Sequence, residues 1–356
     1  MTSITPTTHP CGGCGASVRY APGTAVLRCP YCGHEQPIAA PARQVREHSF
    51  DAFLAQPRAG EVAAHRFSCP GCGARTESDA LSTNCQFCAT ALVADTSKGA
   101  QVAPEAVLPF ALDRRAARDA MRGWTRTRWF APNRLKKVSE AESMKSTYLP
   151  HWTFDAGTVS DYSGQRGEHY YVTETYTSNG QTKTRQVRRT RWYSASGRVS
   201  RHFDDVLVAA TGKLPRERLD ALEPWALERA VPFEPGYLSG HHSLRYDTEP
   251  DSGLEQAKAK MAKVIEDDCK RHIGGDTQRL HDVRTGYSGV TFKLVLLPVW
   301  IGSYLYGGRP YQIMINGVGG EVQGDRPYST VKITLAVLAA VAVVAALVLL
   351  YLGQRG

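Results

Sequence analysis

At 356 residues, with 42% hydrophobic and 22% charged side chains, the chain is too long for one small domain and too balanced for a disordered, collagen-like or multi-span membrane protein. The mean hydropathy of -0.33 agrees, although an average of this kind can conceal one apolar segment. The formal net charge of +9 points to nucleic acid, an anionic membrane surface or an acidic partner, and ten basic against five acidic side chains in residues 101–150 place much of the excess just behind the cysteine-rich region.

Eight of the nine cysteines lie before residue 90, as four Cys-x-x-Cys pairs. They form two quartets, Cys11, Cys14, Cys29 and Cys32, then Cys69, Cys72, Cys85 and Cys88. A two-residue gap lets both sulfurs of a turn face one point, and two facing turns supply the tetrahedral thiolate shell that Zn²⁺ prefers. Glycine follows the second cysteine in Cys14-Gly15, Cys32-Gly33 and Cys72-Gly73, where a positive φ turns the backbone amides toward sulfur; Cys88-Ala89 lacks it and is the least regular knuckle. Disulfides, redox-active pairs and free thiols are the alternatives, and the spacing and repetition favour metal. Modules of about thirty residues cannot fold on apolar burial alone, so two structural zinc ions per chain are expected to supply the folding energy. Four thiolates leave no open coordination position for catalysis. Cys11-x-x-Cys14-Gly15-Ala16 recurs as Cys69-x-x-Cys72-Gly73-Ala74, as duplication would produce. The expected layout is ribbon 1 over 1–38, a linker over 39–66 with a short helix near His48 to Leu54, ribbon 2 over 67–93, and a second linker over 94–107.

A mixed helix and strand body, of α+β class, is expected over 108–328. Asp113 can cap a helix with Ala117, Met121 and Trp124 on one side and Arg115, Arg118, Arg122 and Arg126 on the other. Arg134, Lys136 and Lys137 extend this basic stretch, with Trp124, Trp129 and Phe130 interleaved. It suits nucleic acid or anionic head groups, and the bland alternative is a solvated face with the aromatics in the core. From 169 to 192 the sequence alternates around Asn179-Gly180, the preferred pair for a two-residue hairpin turn. Pairing residues whose numbers sum to 359 sets Glu174 opposite Arg185, Glu168 opposite Arg191 and Val172 opposite Val187. Carboxylate partners for these arginines weaken a nucleic-acid reading of Lys183, Arg185, Arg188, Arg189 and Arg191. A strand near 205–210, short helices around 215–230 and an amphipathic helix over 251–272 follow. Strands return from 277 to 323, with a turn at Asn316-Gly317. Cys269 falls in the helical stretch without a partner and reads as an ordinary core or surface thiol. Leu149-Pro150-His151-Trp152 and Leu297-Pro298-Val299-Trp300 each follow a helical region and open a strand, which suggests a duplicated unit.

Residues 333–352 are uninterrupted by charge, and twenty helical residues span about 30 Å, the thickness of a hydrocarbon core. A single C-terminal transmembrane helix over 331–352 is therefore expected. With no apolar stretch in Met1 to Pro10, the layout is that of a tail-anchored protein. Arg309, Arg326 and Lys332 precede the span and Arg355 follows it, and zinc thiolates need a reducing compartment, so the N-terminal bulk is expected in the cytoplasm.

His151, Asp155, Asp161, His169, His241, His242 and His281 form no recognised catalytic constellation, and no nucleotide-binding loop, HExxH or GxSxG motif occurs, so no enzymatic activity is expected. Together with the ribbons, Leu149-Pro150-x-Trp152-Thr153-Phe154-Asp155-Ala156, Glu223-Pro224-Trp225, Tyr237-Leu238-Ser239-Gly240, Leu296-Leu297-Pro298-Val299-Trp300 and Ile315-Asn316-Gly317 carry a resemblance. The chain resembles bacterial membrane-anchored zinc-ribbon proteins, often labelled primosomal-helicase-like or TFIIB-type. The resemblance implies a membrane adaptor associated with SPFH/flotillin-like and PspA-like membrane-stress proteins. Such proteins often carry a single ribbon or variable cysteine spacing, so no specific partner carries over to these two modules. The function expected is a membrane-anchored scaffold recruiting cytoplasmic partners to the inner membrane, and the alternative is a membrane-tethered nucleic-acid binder linked to replication or transcription.

Overall fold

The computed structural model describes residues 3–4, 9–39, 43–55, 65–69, 75–78, 80–85, 90–93, 102–127, 144–178, 181–306, 309–325 and 329–353. Its N-terminal strands are short: β1 (Ser3–Ile4), β2 (Arg19–Tyr20), β3 (Val26–Arg28), β4 (Glu35–Pro37) and β5 (His48–Ser49). Helix α1 (Phe50–Leu54) follows, with Ser49 accepting from the Ala52 amide at its start. Then come β6 (His65–Ser68), β7 (Arg75–Ser78), β8 (Ser82–Asn84), β9 (Ala91–Val93) and β10 (Ala106–Val107). Helix α2 (Arg114–Arg126) begins at the expected cap, where Asp113 accepts from the Ala116 amide at 2.8 Å. It buries Ala117 and Met121. Trp129, Phe130, Arg134, Lys136 and Lys137 lie outside the described residues.

The body is organised by three very long strands, β11 (Lys145–Ser178), β12 (Gln181–Ala209) and β15 (Thr277–Tyr306). Between β12 and β15 lie helix α3 (Arg216–Asp220), strands β13 (Val231–Pro232) and β14 (His242–Ser243), and helix α4 (Pro250–Ile273). β11 is central, antiparallel to β12 on one side and to β15 on the other. The hairpin register is the expected one, with Glu174 opposite Arg185, Glu168 opposite Arg191 and Val172 opposite Val187. The Asn179-Gly180 turn lies outside the described residues, yet Ser178 pairs Gln181 on either side of it. β15 stops pairing at Gly167 and Thr277, beyond which β11 and β12 continue alone as a two-stranded arm about 35 Å long at the usual rise per residue.

β16 (Arg309–Asn316) folds back on β15, and β17 (Val322–Gly324) on β16. Among the described residues the full sheet has eleven strands, with β10, β13, β5, β14, β8 and β9 added at its margins. The two Leu-Pro-x-Trp stretches lie side by side, Leu149 opposite Leu297 and Ser146 opposite Trp300. The first lies near the start of β11, but the second does not open a strand as expected: β15 begins at Thr277, straight after α4, and reaches Leu297 only twenty residues later.

Helix α4 repeats apolar residues at helical spacing, Leu254, Ala257, Met261, Ile265, Cys269 and Ile273, and buries them against Trp152, Phe154, Phe203 and Phe292. Cys269 is thus a core side chain. Gly253 permits the closest approach, since a Cβ there would stand 2.9 Å from the Trp152 ring. Within the 39–66 segment expected to link the ribbons, β5 pairs with β15 and α1 sets the Phe50 and Phe53 rings edge-on to Phe292.

Helix α5 (Thr330–Gly353) closes the chain order. Its window Val331–Val348 has mean hydropathy 2.6, none of it is buried against the body, and it is long and apolar enough to cross a membrane.

Candidate metal centre

The first four cysteines converge. Two Cys-x-x-Cys turns face each other across the β2–β3–β4 meander, bringing Cys11 Sγ to 3.5 Å from Cys32 Sγ and Cys14 Sγ to 3.5 Å from Cys29 Sγ. All four sulfurs lie within 4.8 Å of one another. A tetrahedron of thiolates at 2.3 Å from Zn²⁺ would separate its sulfurs by about 3.8 Å, so the donor set fits such an ion and can hold a metal.

The knuckles explain how the sequence folds this way. In each, the first cysteine donates its amide five residues ahead, Cys11 to Ala16 O at 2.7 Å and Cys29 to His34 O at 2.9 Å. The glycine after the second cysteine donates back, Gly15 to Cys11 O and Gly33 to Cys29 O. Both glycines have positive φ, 74° and 75°, while an added Cβ would meet nothing within 4 Å, so backbone conformation rather than space demands glycine. The Gly13 amide donates to Cys11 Sγ at 3.3 Å.

Electrostatics inside the quartet are unbalanced without a cation. The Cys32 backbone amide favours the Cys29 thiolate and pulls that thiol down to about 6. The His34 amide favours the Cys32 thiolate, but the Cys11 and Cys14 sulfurs outweigh it and push Cys32 up to about 12. A divalent ion at the centre would compensate this mutual repulsion and hold all four deprotonated.

In the second quartet Cys69 and Cys85 are buried together with Leu92. Cys85 donates its amide to Thr90 O at 2.8 Å, the same five-residue loop seen twice in the first ribbon. Cys72, Cys88, Gly73 and Ala89 lie outside the described residues.

Both ribbons are seated on one segment of the body, the one containing Tyr237-Leu238-Ser239-Gly240. From the first, the Tyr20 amide donates to Ser239 O at 3.0 Å and Ser239 Oγ donates to Val18 O at 2.7 Å. The Tyr20 hydroxyl reaches Phe110 O, and Val18, Tyr20 and Leu27 enter the same core cluster as Tyr237 and Leu238. From the second, Ser82 Oγ donates to His241 O at 2.8 Å, while Ser82 pairs with Ser243 across β8 and β14. His241 is buried at this joint, stacked on Phe110 at 4.8 Å, and burial holds its imidazole down to about 3.

The other quoted motifs are also structural. Asn316 is fully buried; its Nδ2 donates to Leu222 O and Pro224 O, and its Oδ1 accepts from the Val318 and Gly319 amides. It therefore ties the β16–β17 turn to the segment containing Glu223-Pro224-Trp225. Gly317 lies against Phe110 and Pro298 O, where a Cβ would approach to 2.6 and 2.8 Å. His151 is buried with Nδ1 3.1 Å from Leu149 O, and burial lowers it to about 4. Asp161 pairs with Arg198, His169 Nδ1 lies 3.1 Å from Thr190 Oγ1, and neither joins His151 in a cluster.

Sequence reading did not find one polar cluster, because its members come from four distant segments. The carboxylates of Glu47, Asp155 and Asp204 lie within 4.8 Å of one another beside Lys293. Lys293 Nζ is 3.0 Å from Glu47 and 2.6 Å from Asp205. Asp155 sits at a bulge, accepting from the Asp205 amide at 2.6 Å and from Thr291 Oγ1 at 3.1 Å. Asp205 itself has φ 51°. Burial, then the neighbouring Glu47, push Asp155 up to about 6, while hydrogen bonding to Asp155 and Lys293 holds Glu47 down to about 2. Lys293 supplies the positive charge that lets these groups share a half-buried site beside a cavity of about 220 Å³. The one available signal was Asp155 itself, an acid directly after Trp152-Thr153-Phe154 in a stretch whose neighbours are buried.

No family model and no solved structure matches this chain. Over 245 residues it is 26% identical to the uncharacterized protein YdjG of Bacillus subtilis (strain 168), a match covering 68% of this chain and 69% of that protein.

Proposed function

We propose that this chain is a membrane-anchored zinc-ribbon adaptor, a non-catalytic scaffold that recruits cytoplasmic partner proteins of the SPFH/flotillin-like or PspA-like kinds to the inner membrane. Helix α5 is the anchor, each ribbon carries one structural Zn²⁺, and the body is a duplicated helix–strand unit. The observation that carries the reading is the window Val331–Val348, of mean hydropathy 2.6, without charge beyond Lys332 and with none of it buried against the body. A soluble protein would bury such a helix, whereas this body closes its core with α4 and the long strands. Two ribbons seated on one segment support a rigid presenting surface rather than flexible appendages. The cytoplasmic orientation is supported by Arg309, Arg326 and Lys332 ahead of the span and by the reducing conditions that thiolate ligands need.

Two measurements test the reading together. Alkaline carbonate extraction of cell membranes should leave the full-length chain in the pellet. Affinity purification in mild detergent should then enrich SPFH- or PspA-like proteins and retain them at moderate salt, where nucleic-acid contacts would weaken steeply. Recovery of the chain in the soluble fraction refutes the anchor. Enrichment of replication or transcription components without the membrane-stress proteins refutes the adaptor role.

A further inference from the structure

We propose that the arginine flank of α2 is a headgroup-contact surface for anionic phospholipids of the membrane that holds α5; this rests on the anchor reading above. At 100° per residue, Arg114, Arg115, Arg118, Arg122 and Arg126 occupy one arc of about 120°, while the opposite flank is Ala116, Ala120 and Gly123. The charge is one-sided, and four of its five arginines lack a carboxylate partner among the described residues. Arg122 pairs with Asp119 at 3.2 Å, but Arg114, Arg115, Arg118 and Arg126 have no carboxylate within ion-pair distance among the described residues. Several arginines of the long strands, by contrast, are held by acids, Arg185 and Arg189 by Glu174, Arg198 by Asp161 and Arg201 by Asp268.

Position decides what this face meets. Helix α2 packs on the β16–β17 hairpin, where Met121 shares a core cluster with Ile313, Ile315 and Val322, and a Cβ on Gly320 would stand 3.9 Å from Ala120 Cβ. Strand β17 ends at Gly324 and α5 begins at Thr330, so the chain enters the membrane within about 20 Å of that hairpin however the connection runs. The long arm, by contrast, projects from the other end of β15. The unpaired arginines are thus on the element packed against the hairpin from which the chain runs to the anchor. Guanidinium groups pair bidentately with phosphodiester oxygens, and several such groups near an anionic surface reinforce one another.

The full-length chain in lipid nanodiscs provides the test, read by amide hydrogen exchange over residues 113–127. With phosphatidylglycerol mixed into phosphatidylcholine, exchange should slow about threefold or more relative to phosphatidylcholine alone. Salt at about 0.5 M should erase the difference, and this arm needs no variant. The combined variant R114Q/R115Q/R118Q/R126Q should also lose it while its exchange over α4 stays unchanged. Equal exchange in both lipid compositions overturns the inference. So does slowing by free glycerol phosphate to the same degree, which would mark a soluble phosphate site, or slowing by duplex DNA on phosphatidylcholine discs without any phosphatidylglycerol effect. A chain that stays in the discs but ignores their charge sinks this inference alone, whereas a chain released from the discs sinks the anchor reading and this inference with it.

Discussion

Replacing Asp155 by asparagine should stabilise the body at neutral pH and leave it almost unchanged in acid. The folded-state carboxyl, raised to about 6, binds its proton more tightly than the same group in the unfolded chain, near 3.9. Its favourable contribution is therefore fully present below about pH 4 and is lost as the pH rises through 6. Asparagine cannot ionise, keeps an oxygen for the Asp205 amide, and offers Nδ2–H to Glu47, which stays ionised beside Lys293. A shift of two units corresponds to roughly 3 kcal/mol, of which about 2 develops between pH 4.5 and 7.5. Partial solvation of Glu47 and Asp205 reduces this to about 1–2 kcal/mol, or roughly 2–6 °C in Tm for a body of this size. Thermal melts of wild type and D155N in detergent, with zinc present, across that pH range supply the measurement. Taking the difference between the two chains cancels the contribution of the cysteine thiols. A Tm difference that is flat with pH, or a variant less stable than wild type at pH 7.5, would refute the electrostatic account of this cluster.

Two further substitutions test the joint and the ribbons. N316A removes one side chain that satisfies four backbone groups in a fully buried turn, and should cost about 3–5 kcal/mol, seen as a fall in Tm of about 10 °C; a change below 2 °C would show that water replaces those bonds. C29S should lower bound zinc by one ion per chain in elemental analysis and make the knuckle residues 11–14 and 29–34 more open to protease, because metal ligation there supplies folding energy that the contacts of Val18, Tyr20 and Leu27 with the body do not replace. An unchanged zinc content would show that the first quartet is not a metal site.

Features legible in the sequence are those whose partners are near in the chain. The Cys-x-x-Cys turns carry their own geometry, so the convergence of the first four cysteines and the positive φ of Gly15 and Gly33 could be expected from spacing alone. Asp113 caps α2 through a bond three residues long. The arm register follows from a two-residue turn, which dictates every pair from Ser178–Gln181 to Glu168–Arg191. The exposed apolar helix needs only its own composition to be recognised.

The tertiary structure decided everything that depends on distant pairing. Lys293 and Glu47 meet across 246 positions, and Asp155 reaches its unusual proton affinity only because β15 and the segment before α1 converge on a bulge in β11. The seating of both ribbons on residues 237–243 likewise joins segments more than 150 residues apart. A charge pattern records which side chains are basic but not which have acids beside them: Arg185 and Arg189 of the arm share Glu174, whereas among the described residues four of the five arginines on α2 have no such partner. Local turns and caps are set by a few dihedral angles within reach of one another, whereas burial and charge compensation are properties of the three-dimensional neighbourhood, which the order of residues does not display.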